Sequence, residues 1–116
     1  MFFSLKSVKF ESKQYMDLSQ EEWKNKLETD DNAYLLDVRT LEEFEEGHIP
    51  NAKLLDILQA TNFIEGIQSL DSSNNYYVYC RSGARSAQAC QLMNKIGIDT
   101  TFNLLGGFIE WEGVSN

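Results

Sequence analysis

At 116 residues the chain suits one domain with one hydrophobic core, residues 1–116, and leaves no room for a second. Hydrophobic residues make up 42% of it, including two Trp, seven Phe and five Tyr, which argues for a packed globule and against a disordered tail. The formal net charge of −8 disfavours nucleic acid or an anionic membrane as partner, and obliges an anionic substrate to find a local positive pocket.

At the N-terminus, Met1-Phe2-Phe3-Ser4-Leu5 is followed at once by Lys6 and Lys9, so no signal-peptide h-region forms, and no run approaches the roughly 18 apolar residues of a membrane span. The expected location is the cytoplasm. Residues 7–10 alternate in part and predict a first strand. Residues 17–22 read as a helix start, with Ser19 as cap, Glu22 three residues later and an acidic first turn. Trp23 and Leu27 follow at i, i+4 spacing and should face the core.

Residues 33–38, Ala-Tyr-Leu-Leu-Asp-Val, form a short apolar run with the pattern of a buried parallel strand. A short helix should follow, capped by Thr40 and stopped by Gly47. Asp37 stands near the strand end, where it can either help hold a neighbouring loop or satisfy local backbone N–H groups. Arg39 and Glu43, about one turn apart, are expected to form a framework ion pair. His48, the sole histidine, sits in the turn Gly-His-Ile-Pro and reads as structural. A third strand is expected over residues 53–56, and an irregular helical stretch over 57–70, with Leu58, Phe63, Ile64, Ile67 and Leu70 as apolar candidates and Gly66 as an interruption.

A β-type run, Tyr76-Tyr77-Val78-Tyr79, then stops at Cys80. The next residues, Arg81-Ser82-Gly83-Ala84-Arg85-Ser86, are small, polar and cationic, and a helical pattern runs from near Ala84 to Gly97. This order places a sulfur beside helix N–H groups that have no intrahelical partner, at the positive end of the macrodipole, with Arg81 and Arg85 adding charge. Cysteines so placed have pKa values of about 3.5–7.5, so Cys80 is the candidate nucleophile. Cys90 would lie about 9 Å further along the helix at 1.5 Å per residue, too far to resolve a modified Cys80, and reads as a packing residue. Two cysteines with no CxxC and no His cluster make no zinc site. Ala89, Leu92, Met93 and Ile96 mark the buried helix face, and residues 100–104 the last strand. Gly106 and Gly107 permit a tight turn beside the loop, and Trp111 should be core. Strands alternating with helices predict an α/β fold with a mostly parallel sheet.

Three stretches together resemble rhodanese-type sulfurtransferases: Leu-x-Asp-x-Arg, Glu-Phe and Gly-His-Ile-Pro-x-Ala between Leu35 and Ala52; Cys-Arg-Ser-Gly-Ala-Arg-Ser from Cys80; and Leu-x-Gly-Gly-x-x-x-Trp from Leu104. The resemblance implies a rhodanese-like α/β domain with a central, mostly parallel five-stranded sheet and helices on both faces. It also implies a thiosulfate sulfurtransferase in which Cys80 carries a persulfide within the loop of Arg81, Ser82, Gly83, Ala84, Arg85 and Ser86, with Asp37 and Arg39 in support. The phosphatases of related fold have a loop longer by one residue, so four residues between Cys80 and Arg85 favour sulfur over phosphate. The cationic side chains favour thiosulfate over mercaptopyruvate.

The expected partners are a small anionic donor such as thiosulfate and, as acceptor, cyanide or a protein thiol. No metal or organic cofactor is required. Two rival readings remain: a persulfide-carrier or interaction module, and a phosphatase or arsenate reductase using the same cysteine.

Overall fold

The computed structural model describes residues 15–116. The strand expected over residues 7–10 lies outside the described residues. Among these residues five strands form one sheet, β1 (Met16–Leu18), β2 (Ala33–Asp37), β3 (Lys53–Leu54), β4 (Asn75–Tyr79) and β5 (Thr101–Leu104). Their spatial order is β1-β5-β4-β2-β3 and every pairing is parallel. Four α-helices connect them: α1 (Gln20–Glu28), α2 (Leu41–Glu46), α3 (Ala60–Gln68) and α4 (Ala84–Lys95).

Parallel strands need crossovers, and here these divide between the two faces. Successive residues along a strand point to opposite sides, so β4 serves two cores at once. Tyr76, Val78 and Cys80 meet Phe63 and Ile67 of α3 and Ala89, Cys90 and Met93 of α4. Tyr77 and Tyr79 meet Trp23 of α1, while Phe44 of α2 packs on the same cluster. Burial of Phe63 or Ile67 contributes roughly 1.5–3 kcal/mol each, which holds α3 to the sheet although Gln59 gives it no side-chain cap.

The first two helices begin with reciprocal capping. The Ser19 hydroxyl accepts from Glu22 N–H while the Glu22 carboxylate accepts from Ser19 N–H, and Thr40 and Glu43 repeat the arrangement. Trp23 fills the face beneath α1, donating its indole N–H to the Phe102 carbonyl at 3.1 Å, with Trp111 edge-on at 5.7 Å.

Several expectations need correction. Met16–Leu18 is a strand that the sequence did not announce, since an alternation only three residues long is too short to stand out from a helix start. The third strand is two residues long, and the helix expected over 57–70 is confined to Ala60–Gln68. Ile96 is exposed, and Cys90 takes its place on the buried face of α4. Gly97 has φ +101° just past the end of α4, the left-handed terminator its position implied.

Candidate active site

The site grows from the C-terminal end of β4, next to the strand-order reversal where open parallel sheets place ligands. Cys80 follows Tyr79 directly, and the chain must then turn from strand to helix within three residues. Gly83 makes the turn with φ +106° at the cap of α4. Its N–H donates to Cys80 Sγ at 3.1 Å, and the Ser86 hydroxyl lies 3.4 Å from the same sulfur. Cys80 is only 1% exposed, at the floor of the loop.

Burial alone would raise its thiol pKa. The Ser86 hydroxyl and the N–H groups of Ser86, Gly83 and Ser82 outweigh that penalty, so Cys80 is held below its ordinary value. Cys90 shows the other outcome. It is buried within the α4–sheet packing, and desolvation, only partly offset by a hydrogen bond with Thr101, pushes its thiol up to about 12.

The loop is fastened from below by the turn after β5. Phe108 N–H donates to the Cys80 carbonyl at 2.8 Å and Ile109 N–H to the Arg81 carbonyl at 3.0 Å. This approach requires Gly107, since a Cβ there would stand 2.3 Å from the Arg81 carbonyl oxygen, and its φ is +63°. From the side, the Ser86 hydroxyl reaches Asn103 Oδ1 at 2.5 Å, and the Asn103 amide donates to Asp17 at 2.9 Å and to the Gly83 carbonyl at 3.3 Å. Asn103 and Asp17 therefore position the cradle, and little in the sequence announced either. A lone Asn in an apolar strand was the one available clue, because a buried amide must find partners.

The two loop arginines differ. Arg85 is bound by Glu43 through two hydrogen bonds, at 2.8 and 2.9 Å. This pairing, with Thr40 adding to it, holds the Glu43 carboxyl down at about 2. Arg81 is exposed and has no ion-pair partner among the described residues. The expected Arg39–Glu43 pair does not form. Arg39 instead turns back on Asp37, with guanidinium contacts of 2.8–3.1 Å, and donates to the Gly47 carbonyl at 2.7 Å. It also lies over the Phe108 ring at 4.5 Å.

Asp37 satisfies this local set, including the Arg39 N–H at 3.0 Å, and so takes the second of the two roles open to it in the sequence. His48 donates from Nδ1 to the Phe44 carbonyl at 2.9 Å and stacks on the Phe44 ring, so it serves the turn. Beside the cradle, Arg39, Arg81, Glu43, Glu46, Phe108 and Ile109 line an open depression of about 310 Å³. A more apolar groove of about 420 Å³, between Leu27, Ile49, Pro50 and Trp111, contains no cysteine and lies away from this edge.

Comparison with known proteins agrees with this geometry. The family profile described as "Rhodanese-like domain" matches residues 19–113. YtwF of Bacillus subtilis, provisionally named a sulfurtransferase, is 39% identical over 90 residues, covering 78% of this chain and 84% of its own. A protein of Allochromatium vinosum named "Sulfurtransferase" is 33% identical over 97 residues, covering 82% of this chain and 86% of its own. Two further Bacillus subtilis relatives are longer, and the match spans 51% and 62% of them. Among solved structures, a rhodanese-like domain protein of Staphylococcus aureus superposes with a TM-score of 0.72 at 33% identity, over 84% of this chain and 94% of that one. With its five parallel strands, the cysteine loop at their C-terminal edge and a profile match over most of its length, this chain belongs to the rhodanese-like family.

Proposed function

We propose that the chain is a sulfurtransferase that moves sulfane sulfur through a persulfide on Cys80, with thiosulfate or a similar anion as donor. The observation that carries this reading is the convergence of the Ser82, Gly83 and Ser86 N–H groups and the Ser86 hydroxyl on Cys80 Sγ. Such a ring stabilises negative sulfur without reorganising during the reaction.

In the first step the Cys80 thiolate attacks the outer sulfur of thiosulfate. The new S–S bond forms as the old one breaks, and sulfite leaves with the bonding pair. The outer sulfur of the persulfide stands about 2 Å from Sγ, within reach of the same loop donors. In the second step an acceptor nucleophile takes that sulfur and Cys80 departs as thiolate. With cyanide the product is thiocyanate. Division into two displacements replaces one hard step with two easier ones.

Arg81 supplies the cationic side chain that can meet a dianion, because Arg85 is already neutralised by Glu43. Among the described residues, no helix is long and apolar enough to cross a membrane. The test is thiocyanate production from thiosulfate and cyanide by the wild type and Cys80→Ser. Turnover should vanish in the variant with its thermal transition retained. Turnover that survives removes the proposal, and faster hydrolysis of an aryl phosphate than transfer from thiosulfate would replace it with phosphatase chemistry.

A further inference from the structure

The sheet edge that carries Cys80 also carries half of the large exposed apolar side chains among the described residues. Leu41 (55% exposed), Leu58 (64%), Leu105 (47%) and Ile109 (58%) all stand where the chain leaves β2, β3 or β5 at their C-terminal ends. Each is tied to the cradle through its neighbours. Ile109 N–H bonds the Arg81 carbonyl, and Leu105 precedes the Gly106 that lies against Gly83. Leu41 follows Thr40 within the cap that includes Glu43, which in turn holds Arg85. Leu58 N–H bonds Asp56, whose carboxylate acts on Arg85. Single exposed apolar residues are ordinary, but several around a nucleophile form a contact surface. Thiosulfate and cyanide are small ions and gain nothing from it.

The charge at this edge points the same way. Arg39 is paired with Asp37 and Arg85 with Glu43. That leaves Arg81, which lines the 310 Å³ depression together with Glu46. A second depression shares Glu43 and Glu46 with the first and adds Glu42 and Glu45. Beyond the cradle itself the rim is acidic, and it opposes a dianion while favouring a cation.

Accepting sulfur transfer through Cys80, on which this step rests, we infer that the acceptor is a protein that presents its cysteine from an apolar patch flanked by lysine or arginine. Its thiolate attacks the outer sulfur of the Cys80 persulfide, the S–S bond to Cys80 breaks, Cys80 leaves as thiolate, and the acceptor carries the new persulfide. No oxidant or reductant is consumed. The leucines and Ile109 meet the acceptor's apolar patch while Glu42, Glu45 and Glu46 attract its cations. Complementary charge of this kind raises association rates about tenfold or more, and salt screens it.

The test charges Cys80 with thiosulfate, removes excess donor, and follows loss of the persulfide by mass to the blocked pentapeptides Leu-Lys-Cys-Lys-Leu, Leu-Glu-Cys-Glu-Leu and Ser-Lys-Cys-Lys-Ser. Each rate is normalised to that peptide's reaction with a small neutral disulfide, which removes differences in thiol reactivity. The first peptide should outrun the second by about tenfold at low ionic strength. That ratio should collapse to near unity at high salt and in Glu42→Gln/Glu45→Gln/Glu46→Gln. In Leu58→Ser/Ile109→Ser its advantage over the third peptide should disappear. Equal normalised rates for all three peptides with wild-type protein, while cyanide still discharges the persulfide, overturn this inference and leave the transfer reading standing. Failure of Cys80 to take up sulfur at all overturns both.

Discussion

Arg85, in the first turn of α4, and Glu43, in the first turn of α2, meet in a two-pronged ion pair across 42 residues of chain, with N···O distances of 2.8 and 2.9 Å. Both side chains are only 24% exposed, so the pair is shielded from solvent more than an ordinary surface bridge. Glu43 titrates at about 2 when folded, against 4.5 for an unperturbed Glu. A depressed carboxyl contributes stability above its unfolded pKa and loses it as pH falls through the folded value, so this contribution fades between pH 4.5 and about 2. Glu43→Gln keeps an oxygen for the Thr40 cap and removes the charge. Urea unfolding at pH 6 should show it less stable by about 1–2 kcal/mol, with the gap to wild type closing near pH 2. A gap that is unchanged at pH 2 would contradict the assignment.

The same pair bears on the proposed donor. Under that proposal Arg81 draws thiosulfate while Arg85 is neutralised by Glu43, so Arg81→Ala should raise the apparent KM severalfold with little change in Tm. Glu43→Gln, which releases the Arg85 charge, should lower that KM. Steady-state kinetics on both variants decide the point, and movement of the two KM values in the same direction would reject it.

Ser86 carries one hydroxyl proton and has two acceptors, Asn103 Oδ1 at 2.5 Å and Cys80 Sγ at 3.4 Å. The backbone ring alone should leave Cys80 less acidic than the complete set does. The pH midpoint of iodoacetamide alkylation should therefore move upward in Ser86→Ala. Alkylation near neutrality should fall on Cys80 and spare Cys90, whose thiol stands at about 12. An unmoved midpoint would mean that the hydroxyl does not serve the sulfur.

Local grammar was readable in the sequence. Ser19 with Glu22 announced the start of α1 and Thr40 that of α2, Gly97 marked the end of α4, and a strand stopping at Cys80 located the cradle. The choice of long-range partner was not readable. Arg39 has carboxylates at both i−2 and i+4, and only the folded chain shows that Asp37 wins while Glu43 crosses to Arg85. Asn103 and Asp17 were missed because their purpose exists only once β1 lies beside β5. The exposed leucines are invisible for the opposite reason, since a leucine in sequence reads as core.

Glycine positions offer a structural check. Gly107→Ala must accommodate both a φ of +63° and a Cβ 2.3 Å from the Arg81 carbonyl oxygen, which would break the stitch beneath Cys80. Gly97→Ala meets only the left-handed φ of +101°, with nothing within 4 Å. Urea titration should show a loss of about 1–2 kcal/mol for Gly97→Ala. Gly107→Ala should lose more than that and also slow alkylation of Cys80. Equal losses would mean that the turn after β5 does not hold the loop.

The central claim is that Cys80 itself carries the transferred sulfur, and intact mass after exposure to thiosulfate tests it most directly. Wild type and Cys90→Ser should each gain the mass of one sulfur atom and lose it on addition of cyanide, while Cys80→Ser gains none. A sulfur retained by Cys80→Ser, or absent from the wild type, would contradict the account.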